Sequence, residues 1–100
     1  MTASAKLADA AGAAFRKGFG AVLRVIPDGC IGFDVDGRGD VCKITPPLTS
    51  APDCEWRASE ETLARIFDGG RALESAYLSG RLRIAGDMSV MARLTLESVR

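Results

Sequence analysis

The sequence lacks histidine, asparagine and glutamine entirely. The absence of histidine removes the imidazole that most often serves as a general base or a metal ligand near neutral pH. The absence of both amide side chains removes groups that commonly bind polar ligands. No Gly-x-Ser-x-Gly element and no glycine-rich phosphate loop is present either. We therefore expect a protein that is not an enzyme and that recognises its ligand mainly through apolar contact.

An excess of charge of one sign is also lacking, because 13 lysines and arginines balance 13 aspartates and glutamates. No net field is available to attract a polyanion, so nucleic-acid binding is not expected. Cysteine is scarce: Cys30, Cys42 and Cys54 are odd in number and form no Cys-x-x-Cys pair. This pattern predicts buried free thiols in a reducing compartment, without a disulfide framework, a zinc site or another cofactor.

Long apolar runs free of charge are absent as well, and Lys6, Asp9, Arg16, Lys17 and Arg24 interrupt the N-terminal segment. This argues against a membrane-spanning helix and a secretory signal. We therefore expect a cytoplasmic protein with at most peripheral membrane contact. A length of 100 residues suits a single domain over 1–100 with one hydrophobic core.

The first 27 residues carry a helical pattern. Their apolar residues recur at steps of three and four positions, which predicts one amphipathic helix from Ser4 to Ile26. Gly18 and Gly20 weaken such a helix, and a bend is expected near Gly18. The predicted buried stripe consists of Leu7, Ala11, Phe15, Phe19, Val22, Leu23 and Ile26. The remainder, 29–100, is predicted to form a sheet and further helices.

Four segments within 29–100 are predicted to be strands, three of them from a clear alternation of apolar and polar residues. The first places Ile31, Phe33 and Val35 on its dry face, with Cys30, Gly32, Asp34 and Asp36 on its wet face. Residues 36–39 form a turn into a return strand over 40–45. A third strand covers 54–58 and a fourth covers 81–85, with Arg81 and Arg83 on its wet face.

Three helices are predicted between and after these strands. Ser59 suits the N-cap of a helix that buries Leu63, Ile66 and Phe67 and ends at Gly69-Gly70. A short second helix turns Leu73, Ala76 and Tyr77 inward and ends at Gly80. The last helix starts at Met88 and is apolar over a wide arc, formed by Val90, Met91, Ala92, Leu94, Thr95, Leu96 and Val99. Its width predicts that one packing partner does not cover it.

The C-terminal half resembles the sterol carrier protein type 2 family. The resemblance rests on the helix ending in Gly69-Gly70 and on the ordered segments 76–82, 83–88 and 91–94, and in weaker form it extends over 29–96. It implies an α+β fold, in which a mostly antiparallel sheet of four to five strands is covered on one face by helices. An apolar tunnel lies between the two layers in that family. The chain has room for about four strands where the family usually has five.

The resemblance implies non-catalytic binding and transfer of a lipid such as a fatty acid, an acyl thioester or a sterol-like molecule. Carried over by position, it points to seven ligand-binding residues: Ala76, Tyr77, Leu78, Met88, Val90, Met91 and Leu94. Phe33 and Phe67 complete the predicted ligand-binding set. Met88 and Met91 are equally consistent with ordinary core packing. Ser79 stands where the family often has glutamine, which leaves the ligand class open.

Other functions stay open at this point. Some bacterial relatives in this family serve ubiquinone synthesis, so the chain is alternatively an accessory protein that presents a polyprenyl quinone precursor to a biosynthetic enzyme. A further alternative is a dimerisation or docking module without a cavity, which includes a homodimer. Tyr77 with Arg81 or Arg83 is a candidate for contacting an acidic headgroup, although solvated arginines are the simpler interpretation.

Overall fold

The structure is a computed structural model that describes residues 5–48, 50–68 and 72–94. Its elements in chain order are α1 (Ala5–Ala14), β1 (Val22–Pro27), β2 (Phe33–Asp36), β3 (Lys43–Thr45), β4 (Cys54–Ala58), α2 (Glu60–Phe67), α3 (Leu73–Leu78), β5 (Arg83–Gly86) and α4 (Ser89–Arg93). The predicted Gly69-Gly70 helix end and the predicted helical positions Thr95, Leu96 and Val99 lie outside the described residues.

The five strands form one sheet in the order β3-β2-β1-β4-β5. The central pair, β1 and β4, is parallel, and the other three pairs are antiparallel. The prediction of an α+β fold with a mostly antiparallel sheet is therefore confirmed. The estimate of about four strands is too low, because a fifth strand, β1, lies in the segment that was predicted to be helical.

The N-terminal helix prediction is wrong beyond residue 14. Helix α1 ends at Ala14, and Val22–Pro27 forms the central strand of the sheet. Gly20 has a φ of 76°, a left-handed conformation that interrupts the helical pattern. A Cβ at Gly18 would collide with the carbonyl oxygen of Gly39, so the chain passes close to the β2–β3 turn there. Beyond these glycines, valine and isoleucine favour a strand.

Strand β2 is shorter than predicted, because it begins at Phe33 and leaves Ile31 58% exposed. Phe33 and Val35 lie on the buried face as predicted. Strand β3 is confined to residues 43–45 within the predicted 40–45. Asp34, which was predicted to lie on a wet face, is fully buried.

The burial of Asp34 results from the loop between β3 and β4. Arg24 donates from Nε to Asp34 Oδ1 at 2.8 Å, and the backbone N–H of Leu48 donates to Asp34 Oδ2 at 2.9 Å. The Arg24 guanidinium also donates to the carbonyl oxygens of Leu48 and Ser50. Because Arg24 and Asp34 face each other across β1 and β2, the loop closes this side of the sheet with a polar network.

The opposite side of the sheet carries the hydrophobic core. Leu23, Val25 and Trp56 are fully buried there beneath the helices. Phe15, at the end of α1, packs against Trp56 with ring centroids 5.9 Å apart and edge-on against Phe67 at 5.7 Å. Trp56 and Phe67 stack at 6.5 Å. This aromatic cluster joins α1 and α2 to the sheet.

Helix α2 and strand β4 match their predictions. Ser59 caps the helix by accepting the Thr62 backbone N–H at 3.1 Å, and Leu63, Ile66 and Phe67 are buried. Strand β4 has the predicted bounds, with Cys54, Trp56 and Ala58 buried, as period-two alternation requires.

The C-terminal elements match in part. Ala76 is buried and Leu73 packs against the core, whereas Tyr77, predicted to point inward, is 46% exposed. Strand β5 starts at Arg83, and Arg81 and Arg83 are exposed as predicted. Among the described residues, no helix is long and apolar enough to cross a membrane.

The Ser59 cap leads to a first prediction. Replacing Ser59 with alanine leaves the Thr62 N–H without its acceptor and is expected to lower the free energy of unfolding by about 1 kcal/mol. Urea denaturation followed by the fluorescence of Trp56, the single tryptophan, measures this change. Ser50→Ala is the control, because the exposed Ser50 hydroxyl makes no hydrogen bond with the described residues. An equal loss in both variants would contradict the cap assignment.

Candidate functional site

An apolar groove lies at one edge of the sheet, on the helix side of β5. It is formed where α3, β5 and the start of α4 meet, and its volume is about 430 Å³. Its walls are Leu73, Glu74, Tyr77, Ile84, Met88 and Met91. This volume lies within the range of about 300–1,000 Å³ that is typical of small-molecule sites. In the described part of the chain it is a groove open to solvent and not a closed tunnel.

Three local features position the lining residues. Leu73 and Tyr77 are four residues apart on α3, so their side chains share one helix face. On β5, Ile84 points to the helix side of the sheet because it lies opposite the buried Trp56 in the strand register. The turn at Gly86, with a φ of 96°, then returns the chain so that α4 places Met88 and Met91 at the groove.

The inner wall of the groove contacts the aromatic core directly. Trp56 donates its indole Nε1–H to Met91 Sδ at 3.2 Å, and this is a hydrogen bond to a weak acceptor. Trp56 is fully buried, whereas Met91 is only partly buried. A molecule in the groove would therefore touch Met91, whose sulfur is bonded to the indole.

The outer wall leaves apolar surface in contact with water. Tyr77 is 46% exposed and Met88 is 45% exposed, although both are large side chains with extensive apolar surface. Among the described residues, Glu74 is the one charged residue in the lining. An apolar molecule in the groove would cover this surface, and the driving force would be the area removed from water.

The structure places the predicted ligand-binding residues in four different environments. Tyr77, Met88 and Met91 come together in the groove. Leu78 is 74% exposed on the outer side of α3, and Leu94 packs partly against the core. The remaining four are buried in the core: Phe33, Phe67, Ala76 and Val90. Direct contact with a ligand stays a prediction for the whole set.

The sequence interpretation missed three groove residues, Leu73, Glu74 and Ile84. Leu73 precedes Tyr77 by one helical turn, so spacing alone could have placed it beside Tyr77. The alternation of Ile84 with Arg83 indicates its face of the strand but not its proximity to Tyr77. Glu74 carried no such signal, because an acidic residue in the first turn of a helix has an ordinary explanation in the helix dipole.

The three thiols are held in their protonated form. Burial raises the pKa of the Cys54 thiol and also that of Cys42, whose Sγ donates to the Lys17 carbonyl oxygen. A hydrogen bond to Glu60 raises the pKa of Cys30. Such thiols are poor nucleophiles at neutral pH. Cys54 is buried as predicted, whereas Cys30 and Cys42 are only half-buried.

Metal-binding residues are not clustered in the described ranges. No group of three or more histidine, cysteine, aspartate or glutamate side chains able to hold a metal ion occurs among residues 5–48, 50–68 and 72–94. The turn after β2 is held by Arg38, which pairs with Asp36 at 2.8 Å. The Asp36 carboxylate therefore has a guanidinium as its partner, and the hydrogen bonds from Arg38 lower the pKa of Asp36 to about 2.

Comparison with known proteins identifies a family model that covers most of the chain. The model of the SCP-2 sterol transfer family matches residues 3–95. No curated protein sequence matches the chain.

Among solved structures, the chain is similar to the UbiJ-SCP2 ubiquinone synthesis protein, with a TM-score of 0.62 and 22% identity over 90% of this chain and 75% of that one. The Sterol Carrier Protein 2 Like 2 structure from Aedes aegypti has a TM-score of 0.61 and 17% identity, covering 87% and 84% of the two chains. A palmitated SCP2L2 structure from the same species has a TM-score of 0.57 and 19% identity, covering 72% and 66%. At these identities, the structural similarity shows a shared fold.

Proposed function

Because the chain belongs to the SCP-2 sterol transfer family, we propose that it binds a single-chain lipid, such as a fatty acid or an acyl thioester, in the groove between α3, β5 and α4. Lipid binding or transfer is the general function of the family. The observation that carries the specific proposal is the groove of about 430 Å³, in which five of the six described lining residues are apolar or aromatic. Binding is non-covalent, and the protein acts as a carrier without a catalytic step.

The shape of the groove favours a single hydrocarbon chain. Within the described ranges, its lining offers one charged side chain and no ring of hydrogen-bond donors, so affinity has to come from buried area. Covering about 300 Å² of apolar surface contributes about 7.5 kcal/mol before the costs of association. Without those costs, this energy would correspond to a dissociation constant of about 3 μM, so area alone gives a weaker affinity than that. The palmitated relative from Aedes aegypti supports a fatty acid as the ligand class.

The polar end of the ligand is proposed to remain in water. Tyr77 is half-exposed at the groove, and its hydroxyl is the nearest candidate donor to a headgroup. Arg83 is not a candidate there, because it alternates with Ile84 and points to the other side of β5. A location in the cytoplasm is part of the same proposal, supported by three free thiols.

A second candidate function is presentation of a polyprenyl quinone precursor to a biosynthetic enzyme. The structural similarity to the UbiJ-SCP2 ubiquinone synthesis protein favours it. Native mass spectrometry of protein purified without detergent distinguishes the two, because a retained adduct reports the mass of the ligand. An acyl chain supports the carrier function, a polyprenyl adduct supports the second candidate, and a protein that retains no lipid and binds none supports a docking module.

The position of Trp56 provides the direct test of the groove. Palmitate in the groove is expected to change the intensity or wavelength of Trp56 emission saturably, because it contacts Met91, whose Sδ accepts the indole N–H. Fluorescence titration with palmitate measures the effect, and butyrate is the control because it is too short to cover the groove. Saturable palmitate binding by calorimetry without any change in Trp56 emission would place the lipid elsewhere.

A further inference from the structure

A second, polar cleft lies on the opposite side of β5 from the groove. Its volume is about 520 Å³. Its walls are Asp28, Arg57, Ala58, Ser59, Thr62, Gly80, Arg81 and Arg83. Successive residues of a strand point to opposite faces, so Ile84 lines the groove whereas Arg83 lines this cleft. The two sites share no described lining residue, and the cleft lies at the end of the sheet where β4 leads into α2 and the chain enters β5.

Two arginines in the cleft lie side by side on neighbouring strands. Arg57 on β4 is the register partner of Arg83 on the antiparallel strand β5. Side chains in such a pair have Cβ atoms about 4.5–5.5 Å apart, and like charges at that position destabilise the sheet. The pair persists in a protein whose total charge is balanced, which indicates a local excess of positive charge and not a generally basic surface.

Carboxylates of the described residues do not neutralise this cluster fully. Arg57 donates from Nε to Glu55 at 2.7 Å. Arg81 is held by the hydroxyls of Ser79 and Ser75 and has no carboxylate partner in the described residues. The Arg83 side chain makes no hydrogen bond or ion pair within the described part of the chain. Arg38 and Arg65, outside the cleft, each pair with an acidic side chain.

The composition of the cleft walls indicates the kind of ligand. Among the residues that the structure describes, three arginines and one carboxylate residue, Asp28, line the cleft, so its lining has a net positive charge. Guanidinium groups bind phosphate oxygens through two parallel N–H donors, and several arginines around one phosphate are typical of phosphate recognition. The Arg81 guanidinium donates to the hydroxyls of Ser79 and Ser75, which lie outside the cleft lining. Arg81 therefore contributes positive charge near the cleft, and Arg57 and Arg83 are the pair placed for direct contact with a ligand.

We propose that the cleft between Arg57, Arg81 and Arg83 binds a phosphate group, carried either by a soluble phosphorylated molecule or by the headgroup of an anionic lipid. This inference does not depend on lipid binding in the groove. A phosphate between Arg57 and Arg83 would convert their mutual repulsion into two charge-assisted contacts.

The experiment has one arm for each source of phosphate. Pyrophosphate is titrated into the ¹⁵N-labelled full chain, and the arginine Nε–H resonances are followed. Sedimentation with phosphatidylglycerol vesicles is compared with sedimentation with phosphatidylcholine vesicles. Arg83→Gln is expected to weaken binding in the responsive arm about tenfold or more, because a charged hydrogen-bonding group is lost. Arg38→Gln removes the same charge in the β2–β3 turn and is expected to leave binding unchanged.

Each outcome has a defined meaning. Saturable pyrophosphate binding with shifts at Arg57 and Arg83 supports a soluble phosphate ligand, and binding only to phosphatidylglycerol vesicles supports a headgroup. The absence of binding in both arms overturns the proposal. It is also overturned if Arg38→Gln weakens binding as much as Arg83→Gln does. Arg57 and Arg83 are both exposed, so Arg83→Gln is expected to fold. An unchanged or higher Tm at low salt checks this. Palmitate binding by Arg83→Gln is expected to be unaffected, which keeps this test separate from that of the groove.

Discussion

Replacing Asp34 with alanine is expected to lower the free energy of unfolding by about 3 kcal/mol. The substitution leaves the Arg24 guanidinium without its carboxylate and the Leu48 N–H without its acceptor, under the loop that closes this side of the sheet. Removal of one partner from a buried ion pair typically costs about 3–5 kcal/mol. The lower end applies here, because the Arg24 side chain retains 20% exposure. Urea denaturation at neutral pH measures the change.

Two further variants separate the ion pair from general effects of substitution. Asp36→Ala lies two residues along the same strand and removes a carboxylate whose partner, Arg38, is exposed, so a much smaller effect is expected. The double replacement Arg24→Met with Asp34→Leu removes both charges and is expected to recover much of the lost stability. A loss in Asp34→Ala no larger than that in Asp36→Ala would show that the network contributes little.

Replacing Met88 and Met91 together with glutamine is expected to weaken palmitate binding about thirtyfold. Glutamine has a similar length but carries an amide that loses its water when a hydrocarbon chain covers it, at about 1 kcal/mol for each position. The fold is expected to survive, because Met88 is half-exposed and an amide oxygen at position 91 can still accept the Trp56 Nε1–H. Calorimetric titration with palmitate measures the affinity.

The matched control is the double replacement Ile31→Gln with Val41→Gln. Both are exposed apolar residues, at 58% and 62%, and neither lines the groove. This variant loses a comparable amount of surface hydrophobicity and is expected to bind palmitate normally. If the groove variant is folded and keeps full affinity, the lipid does not bind between α3, β5 and α4, and the proposed function needs another site.

The parts of the fold that were predicted correctly are those whose signals are local. Ser59 followed by an amphipathic turn indicates a capped helix, and the alternation of Cys54, Trp56 and Ala58 indicates a half-buried strand. Both patterns act over fewer than ten residues, and the tertiary contacts agree with them. The family resemblance likewise rests on contiguous segments of the C-terminal half, and the match to residues 3–95 confirms it.

The failures came where distant contacts decide the structure. The spacing of Val22, Leu23 and Ile26 fits a helical stripe, yet pairing with β2 on one side and β4 on the other selects a strand. Asp34 alternates with the apolar Phe33 and Val35, a pattern that predicts an exposed side chain. A loop more than ten residues away in the sequence covers it nevertheless. Tyr77 has the spacing of an inward residue, yet no described element covers its outer side.

By itself, the sequence determined the class of fold, the capped helix after β4, the absence of imidazole chemistry and the family, because composition, periodicity and contiguous motifs are properties of neighbouring residues. Only the tertiary structure decided that the centre of the sheet comes from the N-terminal segment. It also decided that Leu73, Ile84 and Met91 share one groove and that Arg57 opposes Arg83. The physical reason is that strand register and the faces of a sheet bring together residues that are distant in the chain, and no local pattern records that pairing.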